Sequence, residues 1–163
     1  MTALGAATAS STDEISAGLE KFAAVSNSVG LSYEYATSAL ATVTATTRQS
    51  ADVVGTAFKT LFARIQDLEL GKTLDDGTTL GKYSQALETV GISIKTADGG
   101  LREMDDILSD LGEKWNSFDA EGNPLISDDA KVALAQTVAG VRQYTQLIAL
   151  MDNWDFMKEN LEI

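Results

Sequence analysis

Acidic side chains are the residues here whose spacing invites a chemical reading. Asp105, Asp106 and Asp110 fall within one helix-forming stretch, and Asp128 and Asp129 open another. Paired carboxylates are the raw material of general acid–base catalysis, where one group holds a proton and its neighbour accepts one. Acids in a helix's first turn are equally what the helix dipole selects, and nothing in the sequence separates these from solvated faces. The segment Ser117 to Asp128 follows the outline of a calcium loop, with Asp119, Glu121 and Gly122 at positions three, five and six. Ser117 stands where the first Asp is needed, Pro124 displaces an aliphatic residue, and Asp128 replaces the closing bidentate Glu. A plain turn is the reading. Gly99-Gly100 lacks the Lys-Ser/Thr pair and the helix start of a phosphate loop. Histidine and cysteine are absent from all 163 residues, which removes imidazole bases, thiolate nucleophiles, disulfides and His/Cys zinc sites together. Ser and Thr abound, yet no Ser-x-x-Lys occurs to activate one. The expectation is a non-enzymatic chain with no catalytic, cofactor-binding or metal-binding residues and no cofactor.

The cations offer a second set. Arg48 precedes one helix, Lys59 and Arg64 lie on it, and Arg142 with Gln143 and Tyr144 opens a later one. Two readings stand. These are helix-surface cations paired with the many acids, each contributing little. Or Arg48 and Arg142 are half-buried organisers that bridge helices, a role that suits a planar guanidinium better than an ammonium.

Helices must position all of these groups. Ser11 and Glu14 have capping-box spacing, so a helix begins near Thr12 and runs through Ile15, Leu19, Phe22, Ala23 and Val25 to about Ser28. Gly30 ends it. Ser32 caps the next, whose small-residue stripe Ala36, Ala39, Val43 permits close helix approach. Ser50 caps a third, in which Val53, Val54, Phe58, Leu61, Phe62 and Ile65 make a broad apolar face. After a turn-rich connector from Gly71 to Thr79, a fourth helix carries Leu80, Tyr83 and Leu87. From Gly91 the period changes to alternation, Ile92 and Ile94 against Ser93 and Lys95, with turn residues at Ala97 to Gly100. That pattern predicts a β-hairpin of two short strands leaning on helices. Helical spacing resumes over Met104 to Trp115, breaks at the Asn116 to Ser127 connector, and restarts with Ser127 as cap. Val132, Leu134 and Val138 lead to Gly140, which kinks one long helix or separates two, before a stripe continuing to Trp154. The expected fold is mostly α, a bundle of about six to seven helices with one small β-hairpin near residues 91–103. Residues 1–11 are expected as a flexible N-terminal segment, 12–155 as the helical domain and 156–163 as a C-terminal tail.

Hydrophobic residues at 44% suffice for one core, while aromatics at 7% leave it built mostly from small aliphatic contacts. A single proline favours helices over a loop-rich β-fold. Twelve basic against 24 acidic residues give a net charge of −12, which argues against nucleic-acid binding, since phosphate contacts need a basic face. No stretch has the roughly 20 apolar residues of a membrane span, and the start of the chain lacks the basic and apolar regions of a signal peptide. No 20–50-residue repeat and no sustained heptad is present, so solenoid and simple coiled coil both fall away.

Three ordered blocks add a resemblance. The first is ATVTATTRQSADVVGTAFKTLFARIQ, Ala41 to Gln66, with Arg48-Gln49-Ser50, Gly55, Lys59, Phe62 and Arg64 as its telling residues. The second is Val90-Gly91-Ile92-Ser93-Ile94-Lys95, then Asp98-Gly99, Leu101-Arg102, Ile107-Leu108, Leu111 and Lys114-Trp115. The third is Ala139-Gly140-Val141-Arg142-Gln143-Tyr144, followed by Leu147, Ala149-Leu150-Met151 and Asn153-Trp154-Asp155. In this order and spacing they resemble phage tail tape measure proteins. The Phe118 to Ile126 connector is longer than the family's usual link into the last helices.

The resemblance implies a segment of a much longer structural protein, as an expressed fragment or a truncated prophage product. Such a protein lies along the lumen of the growing tail tube, sets tail length, and leaves ahead of DNA during ejection. Its implied partners are other tape measure copies, the tail tube protein, tail assembly chaperones and baseplate or distal tail proteins. Its implied location is the virion tail, after the host cytoplasm during assembly. Gly punctuation and broad apolar faces make this segment a compact helical domain on that long molecule, not the heptad rod itself. The competing class is a generic acidic helical adaptor without a phage role, whose small-residue stripe docks a partner helix. A third, calcium-regulated class requires the Ser117 loop to bind metal.

Overall fold

Hydroxyl caps start four of the helices. In a computed structural model describing residues 12–162, α1 spans Thr12–Ser28, α2 Tyr33–Thr47, α3 Ala51–Glu69 and α4 Leu80–Glu88. They are followed by α5 Met104–Trp115, α6 Asp128–Ala139, α7 Tyr144–Asp152 and α8 Trp154–Glu162. Ser32, Ser50, Thr79 and Ser127 each accept a hydrogen bond at 3.2 Å from the backbone N–H three residues on, satisfying one donor that the first turn leaves open. The Ser11 half of the expected capping box lies outside the described residues.

The core is organised around α2. Every residue from Tyr35 to Thr44 is buried, because α1, α3, α7 and α8 all pack on this helix. Small side chains make that possible, and their hydroxyls are satisfied internally: Thr37 donates to the Tyr33 carbonyl at 2.8 Å and Thr42 to that of Ser38 at 2.7 Å. The stripe Ala36, Ala39, Val43 therefore faces this chain's own helices, not a partner.

Against it, α1 lies along α3 at backbone contact. A Cβ on Gly18 would sit 2.5 Å from the Ala51 carbonyl oxygen, and one on Gly55 would collide with the carbonyl of Gly18. Beside this crossing Phe22 meets Phe58 edge-on with centroids 5.5 Å apart and stacks on Phe62 at 6.0 Å. Phe58, Leu61 and Ile65 are buried as their spacing predicts, whereas Val53 at 49% and Val132 at 41% exposed lie outside the core.

The helix count differs from the sequence expectation. Eight helices are present among the described residues, more than the six to seven expected. Of the two roles the sequence leaves open for Gly140, the structure shows separation: at φ 88° it parts α6 from α7. A further break falls at Asn153, whose side-chain amide donates to the Ala149 carbonyl at 2.8 Å and competes with helix continuation. The helix then resumes as α8, and Met157 and Asn160, in the stretch set apart as a C-terminal tail, are buried against α2; Asn160 donates to the Thr42 hydroxyl at 3.0 Å.

The β-hairpin near residues 91–103 is not formed. Lys95 and Leu101 make a single antiparallel bridge, flanked by Thr96 N–H to Gly100 at 2.7 Å and Arg102 N–H to Ile94 at 2.8 Å. Pairing stops there because Ile92 and Ile94 turn into the core, while the Met104 N–H leaves for the Val29 carbonyl at 2.9 Å to begin α5. A second isolated bridge, Phe118 to Pro124, closes the turn in the Asn116 to Ser127 connector.

Candidate functional site

The acidic groups do not converge. Asp110 is held between Arg102 at 3.3 Å and Lys114 at 3.2 Å, a surface clamp on α5. Asp105 is half-buried at the start of the same helix, where burial first, then the charges of Asp106 and Glu103, raises its carboxyl above the ordinary range. Asp128 and Asp129 are exposed in the first turn of α6. In the loop counted from Ser117, Asp119 turns its carboxylate onto its own backbone, accepting from Glu121 N–H at 3.0 Å and Asn123 N–H at 2.8 Å. Those bonds make a tight turn. No group of three or more acidic side chains placed to hold a metal ion occurs among the described residues.

The cations do converge. A groove of about 760 Å³ runs between the outer face of α3, the connector ahead of α4 and the Gly140 to Gln143 turn. Lys59, Arg64 and Arg142 all line it. The organising role, one of the two readings open for Arg48 and Arg142, falls to Arg64. Its side chain is 12% exposed and its guanidinium ends reach Asp76 at 3.0 Å, the Thr78 hydroxyl at 3.0 Å and the Thr137 carbonyl at 2.9 Å. One side chain thus ties α3, the connector and α6 together. The Asp76 carboxyl is held below its usual range mainly by hydrogen bonds from Thr78, with Arg64 assisting. Arg142 is exposed on the groove's rim. Arg48 is exposed too, and it organises through its backbone: at φ 61° it adopts the left-handed conformation that turns α2 into α3, donating its N–H to the Thr44 carbonyl at 3.0 Å.

The sequence reading missed three glycines that let elements touch: Gly18 and Gly55 at the α1–α3 crossing, and Gly112 beneath the indole of Trp154. Gly112 lies between Leu111 and the paired Lys114-Trp115 of the second block, where its meaning was not legible without its partner across the chain.

The three resemblance blocks, far apart in sequence, meet in space. Gln49 of the first accepts from Gln146 of α7 at 3.2 Å, while Arg64 reaches the residues just ahead of Gly140. Trp115 of the second donates to Asp152 at 2.7 Å, and Trp154 of the third donates to Glu113 at 3.2 Å. Their telling residues are therefore the joints of a single core.

Phage-related minor tail proteins match over residues 1–128, a span that takes in the first two blocks and ends at the start of α6. No solved structure matches the chain. No helix among the described residues is long and apolar enough to cross a membrane. With most of its length matched and its motif residues joined in one core, the chain belongs to the phage-related minor tail protein family.

Proposed function

We propose that this chain is a folded domain of a tail tape measure protein, the member of the tail that occupies the tube lumen, sets its length and leaves ahead of DNA. The role is structural and non-enzymatic. Its partners are other tape measure copies, the tail tube protein, tail assembly chaperones and baseplate or distal tail proteins. Assembly takes place in the host cytoplasm. The observation that carries this reading is the meeting of the three tape-measure-like blocks in one core through Arg64, Gln49, Trp115 and Trp154. The eight helices of the described residues make this part a compact body, so the ruler's long rod lies in other parts of such a protein.

In-frame removal of this coding region from the phage, with tail lengths measured by electron microscopy, tests the role. As continuous helix its 163 residues would span about 245 Å at roughly 1.5 Å per residue. A shortfall near that value means the domain unravels in the tube, and a smaller one that it stays folded there. Infectious particles with tails of unchanged length would overturn the tape measure reading.

A further inference from the structure

We propose that the groove between α3 and the Gly140 turn docks an acidic peptide segment of a partner protein, seated by Lys59 and Arg142. Six of the twelve cations, all among the described residues, make no ion pair, and this groove gathers two of them. Among the described residues Lys59 and Arg142 make no ion pair, and both line this groove. The groove's other cations are already neutralised, Arg64 by Asp76 at 3.0 Å and Lys72 by Asp67 at 3.4 Å. Thr56 and Thr60 flank Lys59 on α3 but spend their hydroxyl protons on their own helix, at 2.9 and 3.2 Å. A guest carboxylate entering here therefore finds its donors at Lys59 and Arg142.

Peptide fits better than nucleic acid. Asp67, Asp75 and Asp76 line the same groove, and a phosphate backbone carries charge at every unit, so it cannot avoid them. A peptide places one or two carboxylates on the cations and stays neutral elsewhere. Val141, 68% exposed on the groove's edge, offers such a segment apolar contact. The inference does not rest on the tape measure role.

Fluorescence anisotropy with a labelled Ala-Glu-Ala-Ala-Glu-Ala peptide, and its Ala-Gln-Ala-Ala-Gln-Ala counterpart as control, in ~150 mM salt tests it. The two-glutamate peptide binds and its glutamine counterpart does not. Lys59→Gln and Arg142→Gln each weaken binding about tenfold, the size of one charge-assisted contact. Lys95→Gln, which removes an exposed cation outside the groove, leaves binding unchanged, and all three variants keep the parent's melting temperature because neither groove cation bonds to the fold. Absence of binding by the two-glutamate peptide, or equal weakening by Lys95→Gln, would overturn the proposal. So would duplex DNA binding that the same two substitutions abolish, which makes the groove a phosphate site. A dimer seen by sedimentation that Lys59→Gln dissolves would replace the partner with a second copy of this chain.

Discussion

Gly112 and Asp105 show how much a single side chain carries when its surroundings are rigid. A methyl at Gly112 would enter the indole of Trp154, a buried ring held by its own hydrogen bond to Glu113. Gly112→Ala is expected to lower stability by about 1–3 kcal/mol, the usual cost of overpacking. Gly122→Ala meets nothing within 4 Å and pays only for its positive φ, about 1 kcal/mol. Urea midpoints of the two variants should differ in that order. For Asp105 the sign of the pH effect follows from its raised carboxyl. The native state keeps this proton to higher pH than the unfolded chain, so the group's contribution to stability falls as pH rises from the unfolded to the folded pKa. Above that window the cost is fully present. Asp105→Asn removes the charge while its amide oxygen can still accept from the Ser32 N–H, so the variant gains on the parent near pH 7 and loses that gain near pH 3. An identical shift at both pH values would mean that Asp105 does not titrate with folding.

Among the elements, α2 and α3 hold the fold in different ways. The first is buried all round by small residues, while the second presents a hydrophobic face inward and the groove outward. Leu61 sits at the centre of that inner face at 1% exposure, between Phe58 and Ile65. Leu61→Ala is expected to cost about 2–5 kcal/mol, lost transfer energy plus the cavity left behind. A midpoint unchanged within error would place the core elsewhere. The groove side depends on Arg64, which joins α3 to the connector and α6. Arg64→Lys keeps the charge but cannot reach Asp76, Thr78 and Thr137 at once. The loss should be about 1–3 kcal/mol, from hydrogen-bond partners left unsatisfied. Faster amide exchange at the end of α6 and in the connector ahead of α4 than in α1 would locate the damage where the structure puts it.

The whole molecule carries −12, and its small-residue stripe is spent internally on α2. Copies of the isolated chain repel one another, and salt screens that repulsion within about 10 Å. Sedimentation at low and high ionic strength should therefore find a monomer, or weak association that tightens as salt rises. A tight oligomer indifferent to salt would mean that an apolar surface dominates, and the exposed pair Phe118 and Leu125 on the long connector would be the first place to look.

Much of this was legible in the residues alone, where the deciding contact is close in sequence. The caps at Ser32, Ser50 and Ser127 act over three residues, and the α3 core face repeats every three or four, so spacing reveals both. The missing His and Cys excluded whole chemistries without any fold. The hairpin pattern at Ile92 and Ile94 misled because alternation marks burial on one side, and two core-facing residues can be buried without a strand partner. The tertiary structure alone chose Arg64 over Arg48 and Arg142 as organiser, since its three partners are 12 to 73 positions away. It also gave Gly18, Gly55 and Gly112 their meaning and left Lys59 and Arg142 unpaired in one groove. Each of those outcomes depends on which distant segment arrives beside the residue, and local spacing carries no record of that.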